Sequence, residues 1–154
     1  MHRYRLRWAF GRAWPFAAVS ILAGSIGSTA EDAQGFIRIT PEEIVWDDRD
    51  TGPDFAIIAG DPQQAGFYVI RARFAPGVMS QPHYHPSDRH VTVISGTWYT
   101  GTGATFDKDA TIGLPAGSYM KHPANAVHFD GAKDEEVIVE IKGIGPAPSI
   151  PAGR

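Results

Sequence analysis

The sequence predicts an all-β fold closed into a small barrel or jelly roll, on three observations. Downstream of residue 54 the apolar residues come in short runs bounded by Gly, Pro and Asp, the punctuation of strands and turns. The run at the end alternates with period two, Val137, Val139 and Ile141 against Ile138, Glu140 and Lys142, the pattern of a half-buried strand. No window longer than a few residues carries the apolar spacing of an α-helix, and many short strands at regular intervals call for an architecture that removes sheet edges.

Residues 1–30 fall outside that domain. Arg3, Arg5, Arg7 and Arg12 form a basic region, Trp14 to Ile26 an apolar one, and Ser28-Thr29-Ala30 a small-x-Ala step. Together they read as a Sec-type signal peptide cleaved after Ala30, which places the mature chain in the periplasm or outside the cell. The apolar stretch, about thirteen residues, is shorter than the roughly 20 needed to cross a bilayer, so no membrane attachment is expected after cleavage. All seventeen acidic residues but only ten of the fourteen basic ones lie after Ala30, leaving that part with a formal charge of −7. Such a balance disfavours nucleic acid and anionic membrane surfaces as partners. The chain has no cysteine, which excludes disulfides, zinc-thiolate sites and cysteine nucleophiles.

Residues 31–54 read as an irregular N-terminal arm with one short helix. There Thr40-Pro41-Glu42-Glu43 has capping-box spacing with Pro at the first helical position. Residues 55–146 hold the barrel, with strands expected at Phe55 to Ala59, Gly66 to Phe74, His90 to Tyr99, Ala104 to Phe106, Tyr119 to His122, Ala126 to Asp130 and Glu136 to Lys142. Residues 147–154 are Pro-rich and are expected to form a flexible tail.

His83-Tyr84-His85 puts two imidazoles on one face of a strand, because successive side chains point to opposite faces. Gly77 precedes this pair by a five-residue spacer and Gly96 follows the strand; farther on come Gly117, Pro123, Asn125, His128 and Ala132. The first set resembles the first motif of the cupin superfamily, G-x5-H-x-H-x(3,4)-E-x6-G. The second resembles its second motif, G-x5-P-x-G-x2-H-x3-N, with Asn125 in place of Gly and Ala132 in place of Asn. Gly60-Asp61-Pro62, Gly96-Thr97-Trp98-Tyr99 and Gly143-Ile144-Gly145-Pro146 are similar to small, often exported, single-domain cupins. The resemblance implies a cupin-type double-stranded β-helix over roughly Ile39 to Pro146. It also implies a divalent transition metal on His83, His85 and His128, with Fe(II) favoured over Mn, Ni, Cu or Zn.

The sequence departs from the motif where the family has Glu. Counting back from Gly96 lands on Arg89; counting the longer spacer forward from His85 lands on His90. If Arg89 faces inward, the centre is a three-His site beside a cation; if His90 does, it is a four-His site, the two readings differing by a one-residue register slip. Arginine stays protonated and cannot ligate. Arg89, Tyr99 and Phe129 are the expected pocket or substrate residues, whereas His122 is expected at the surface, and Asp88 either caps a turn or orients an imidazole.

Three neutral imidazoles leave coordination positions open, and the missing carboxylate favours an anionic ligand. Small three-His cupins that cleave diketones or oxidise thiols have this ligand set, so the resemblance implies a dioxygenase-like oxidoreductase acting on a small chelating or anionic substrate. The competing expectation is a non-catalytic module that binds or senses a metal or small molecule on the same barrel. Small cupins commonly pair through an exposed strand, and a homodimer is the corresponding assembly.

Overall fold

The computed structural model describes residues 31–153; the expected signal peptide lies outside them. Among the described residues no helix is long and apolar enough to cross a membrane. The chain builds ten strands: β1 (Asp54–Ala59), β2 (Gly66–Phe74), β3 (His83–Tyr84), β4 (Arg89–Ser95), β5 (Thr97–Thr102), β6 (Ile112–Pro115), β7 (Tyr119–His122), β8 (His128–Gly131), β9 (Val137–Gly145) and β10 (Ile150–Pro151). They form two antiparallel five-stranded sheets, ordered β1-β2-β9-β4-β7 and β10-β3-β8-β5-β6. The all-β double-stranded helix expected from the sequence is the observed fold.

The period-two reading of the strands decides what fills the interior. Tyr68, Ile70, Ala72 and Phe74 of β2 pack against Val137, Val139 and Ile141 of β9, with Val91 and Val93 of β4 and Trp98 of β5 completing the core. Val91, Val137 and Val139 are fully buried, and burial of such a side chain stabilises the fold by about 1.5–3 kcal/mol. The alternate residues of β2 point outward and find charge partners. Arg71 meets Glu140 at 3.2 Å, and Arg73 meets Asp54 at 2.7 Å while its guanidinium lies 4.6 Å from the Trp46 ring. That last contact fastens the N-terminal arm to the barrel.

The elements depart from the expectation in four places. The strand expected from His90 to Tyr99 is two strands, because Gly96 adopts φ +71 in the left-handed region. A Cβ there would stand 2.4 Å from the Glu136 carbonyl oxygen, so the chain turns at Gly96 and passes from the first sheet to the second. Residues Ala104 to Phe106 form no strand; Phe106 instead packs on Phe129 with ring centroids 5.2 Å apart. The strand in that region is β6, whose Gly113 and Pro115 concealed it, and it pairs only with β5 at the sheet edge, where proline is tolerated.

The arm's expected helix is a single 3-10 turn over Pro41–Glu43, in which Glu43 accepts the Thr40 amide at 2.8 Å. The expected free tail is instead part of the second sheet. Ile150 pairs with Tyr84 and Pro151 with His83, and the Ala152 amide donates to the Pro82 carbonyl at 2.9 Å.

Candidate metal centre

The second sheet places the motif histidines. His83 of β3 and His128 of β8 are direct cross-strand partners, and His85, two residues after His83, returns to the same face. Their ring centroids lie 4.5 Å (His83–His128), 5.0 Å (His83–His85) and 5.5 Å (His85–His128) apart. The two sequence motifs also meet through the backbone, since the Asn125 amide donates to the His85 carbonyl at 2.7 Å. Asn125 sits at φ +62, which explains why the motif prefers Gly there and why Asn, among the residues that tolerate this region, can replace it.

Each ring is oriented by a backbone carbonyl. His83 Nδ1 donates to the Gln81 oxygen at 2.8 Å, His85 Nδ1 to Pro148 at 2.9 Å and His128 Nδ1 to Ala126 at 2.9 Å. A carbonyl only accepts, so the proton is on Nδ1 and Nε2 carries the free lone pair. Burial, reinforced by the Arg89 charge, pushes His85 down to about 3, and burial lowers His128 as well, so both are neutral donors at ordinary pH. The candidate ligand atoms of the three residues lie within 4.8 Å of one another, and the buried His128 Nε2 has no hydrogen-bond partner. This donor set fits a divalent transition metal: three imidazoles, each oriented through Nδ1, converging with their Nε2 lone pairs free of their own backbone.

The register between Arg89 and His90 is resolved by β4. Arg89 pairs with Gly143 and His122 and points inward, 8% exposed. His90 points outward and its ring meets the Tyr119 hydroxyl at 2.7 Å, so it lies away from the other histidines and is not a fourth ligand. The Arg89 guanidinium donates to His85 Nε2, its Nε has no partner, and no carboxylate among the described residues forms an ion pair with it. Desolvation lowers its affinity for its proton, opposed by the charges of Tyr68 and Asp130.

Tyr99 and Phe129, expected at the pocket, face away from it. Along β5 and β8 the inward residues are Trp98, Thr100, His128 and Asp130, so the intervening Tyr99 and Phe129 take the other face. Tyr99 lies under the Lys133 ammonium at 4.4 Å, and Phe129 packs so closely on Gly101 that a Cβ there would stand 2.1 Å from its ring. Asp88 is structural: it accepts the Ala124 amide at 2.8 Å and pairs with Lys121 at 2.7 Å.

Two residues of the site were not expected from the sequence. His122 is 3% exposed rather than at the surface, its ring centroid 3.7 Å from that of His128, and neither of its ring nitrogens has a partner. Burial, followed by the charge of His128, pushes it down to about 2. Asp130 is also buried; its amide donates to Ser80 Oγ at 3.0 Å and its Oδ2 lies 3.9 Å from His128 Nε2. Asp130 stands two residues beyond His128 on a strand, so its inward face was readable from period two; the depth of His122 depends on its pairing with Arg89, which no local pattern reveals.

Two cavities adjoin these residues. One of about 70 Å³ lies inside the barrel against His83, His85, Arg89, His122 and Asp130. The other, about 1060 Å³, is a groove between the arm and the barrel, walled by Ile39, Ile44, Trp46, Phe55 and Ile70, with His85 and Arg89 on its lining.

A family model described as the ChrR cupin-like domain matches residues 34–145. No curated protein matches the chain. Among solved structures, the polyketide cyclase RemF from Streptomyces resistomycificus is similar at 14% identity and TM-score 0.63, covering 77% of this chain and 87% of its own. A conserved Klebsiella pneumoniae protein with a double-stranded β-helix domain is similar at 22% identity and TM-score 0.59, covering 76% and 97%. A structure of the DMSP lyases RdDddP and RnDddQII is similar at 20% identity and TM-score 0.52, covering 72% and 56%. At these identities the likeness is one of fold.

Proposed function

The chain belongs to the ChrR cupin-like domain family, and on that premise we propose that it is an exported, metal-dependent cupin enzyme with a dioxygenase-like activity on a small chelating, anionic substrate. The observation that carries this reading is the anchoring of His83, His85 and His128 through Nδ1, which leaves three Nε2 atoms converging beside a buried arginine. A divalent transition metal held by these residues supplies Lewis acidity and, where it is redox-active, electrons for dioxygen. Export is supported by the basic and apolar pattern of residues 1–30.

The residues around the triad set what binds. Arg89 is a desolvated cation without a carboxylate partner at the junction of the groove and the interior, so an enolate or carboxylate arriving from the groove gains a charge-assisted hydrogen bond. The interior cavity of about 70 Å³ is too small for an organic substrate, whereas the groove of about 1060 Å³ is large enough. The substrate's anionic end therefore points inward and its body lies under the arm, against Trp46 and Phe55.

A second reading is favoured by Asp130. Its buried carboxylate beside the triad is a candidate general base for a non-oxidative elimination or cyclisation, and two similar folds belong to proteins named as a cyclase and as lyases. Oxygen consumption separates the two. Fe(II)-loaded protein is incubated with a panel of 1,3-diketones and enolisable 2-oxo acids in an oxygen electrode. Substrate loss coupled to oxygen uptake supports the dioxygenase-like reading; substrate loss that proceeds equally without oxygen supports the second; no substrate loss, with metal bound, leaves the binding or sensing module as the better account.

A further inference from the structure

His122, His128 and Asp130 form a second cluster whose candidate ligand atoms lie within 4.8 Å of one another, all three residues buried. We propose that this cluster is an inner position for a divalent cation, that it shares His128 with the outer triad, and that it is the position occupied when no anion rests on Arg89. The inference rests on the reading that the centre is metal-binding, and adds where in the barrel the ion sits.

Three observations support it. First, His122 is 3% exposed with both ring nitrogens unpartnered, and His128 Nε2 beside it is also unpartnered. Buried polar groups in folded proteins are nearly always satisfied, and a cation engaging one nitrogen of His122 together with His128 Nε2 would satisfy two of these three orphans. Second, space exists: the interior cavity of about 70 Å³ is lined by His122 and Asp130 together with His83 and His85, enough for an ion and about two waters, each of which occupies about 30 Å³ in the liquid.

The third observation is electrostatic. In the outer triad the His85 Nε2 lone pair is taken by the Arg89 guanidinium, so an ion there must displace a cation and then sit beside it. The inner cluster offers the Asp130 carboxylate instead, 3.9 Å from His128 Nε2, and this carboxylate offsets the charge of Arg89, which neighbours the inner cluster as well. A divalent ion is favoured near a buried carboxylate and disfavoured near a buried guanidinium. His128 has one free nitrogen, because Nδ1 is committed to Ala126, so the two positions exclude each other. An anion that draws Arg89 away from His85 frees the outer donors.

The experiment uses Co(II), whose visible absorption reports its donors, with equilibrium dialysis and metal analysis for stoichiometry. The expected wild-type result is one Co(II) per chain. His83→Ala/His85→Ala is expected to keep one Co(II) with affinity within about tenfold of wild type. His122→Phe/Asp130→Asn is expected to weaken binding by about 100-fold or more, beyond the 10–100-fold of a residue that merely orients a ligand, and to shift the spectrum toward all-nitrogen donors. His128→Ala is expected to bind none. Asp130→Asn alone, an isosteric change that keeps the backbone bond to Ser80, gives the same spectral shift should a double variant fail to fold by circular dichroism.

If the His83/His85 variant loses Co(II) while the His122/Asp130 variant binds like wild type, the inner position does not exist and the proposed function stands. Two ions per wild-type chain overturn the sharing of His128. A wild-type chain that binds no Co(II) overturns both readings.

Discussion

Acidifying the metal-free protein tests the burial of the site directly. His85 and His122 are each 3% exposed and are pushed down to about 3 and about 2. Above the unperturbed value of about 6.5 both are neutral whether the chain is folded or unfolded, and they contribute nothing to the pH dependence. Below it the unfolded chain takes up protons that the folded chain refuses until about pH 3 and about pH 2, so stability falls as the pH is lowered through this window. At pH 5 the unfolded imidazole lies about 1.5 units above the pH, and at 1.36 kcal/mol per unit each residue costs about 2 kcal/mol, or about 4 kcal/mol together. His128, also lowered, acts in the same direction. For a domain of this size about 4 kcal/mol corresponds to a fall in Tm of about 15 °C. The depressed carboxylates of Asp54, Asp88 and Glu140 lose their stabilisation only at lower pH, near and below their ordinary range of about 4, so the two effects separate. Thermal melts by circular dichroism in chelator at pH 7.5, 6 and 5 measure it, with His122→Phe expected to remove its share, about 2 kcal/mol, of the fall at pH 5. A Tm that stays level between pH 7.5 and 5, or an unchanged slope in the variant, refutes the burial of neutral imidazoles at the site.

Four further outcomes follow from the geometry. Arg89→Glu replaces a buried cation with a coordinating carboxylate and should tighten divalent binding and weaken anion binding by about tenfold or more each in calorimetric titration, because charged contacts of this kind are worth about 1.5–3 kcal/mol. His90→Ala should leave metal affinity unchanged and alter stability by no more than about 0.5 kcal/mol in urea denaturation, since among the described residues its hydrogen-bond partner is the exposed Tyr119 hydroxyl. Gly101→Ala should destabilise by about 1–3 kcal/mol in the same assay, as the added methyl stands 2.1 Å from the Phe129 ring. Ending the chain at Ala147 in an Arg89→Leu background removes both groups that fix the His85 tautomer, the Pro148 carbonyl and the Arg89 donor, and nitrogen NMR of the imidazoles should then show His85 as a mixture of tautomers, where the full chain shows Nδ1–H alone.

The barrel and three of the site's histidines were legible because they are written in local terms. Alternation revealed the inward faces of β2 and β9, and the two cupin motifs located His83, His85 and His128. What stayed hidden depends on pairing between distant segments. Whether Arg89 or His90 faces inward is fixed by Arg89 opposite Gly143 and His122, and the same pairing buries His122, which reads from its neighbours as a strand end before Pro123. Tyr99 and Phe129 were placed at the pocket on their chemistry, whereas their parity along β5 and β8, once Trp98 and His128 face inward, puts them outside. Pro115 and the Pro-rich end concealed β6 and β10, which are edge strands, where a missing amide costs no ladder bond.

The attachment of β10 has a consequence for time rather than for structure. It is a two-residue strand at the border of its sheet, and fraying at such a border requires far less free energy than opening the barrel. Yet it brings with it the Pro148 oxygen, 63 residues away in sequence, on which the orientation of His85 depends. The lifetime of the doubly held His85, anchored by Pro148 at Nδ1 and Arg89 at Nε2, is therefore that of the border pairing, not that of the fold. Amide exchange at Ala152, which donates to Pro82, should be much faster than in β9 and should match the rate at which the His85 Nδ1–H loses its bond to Pro148.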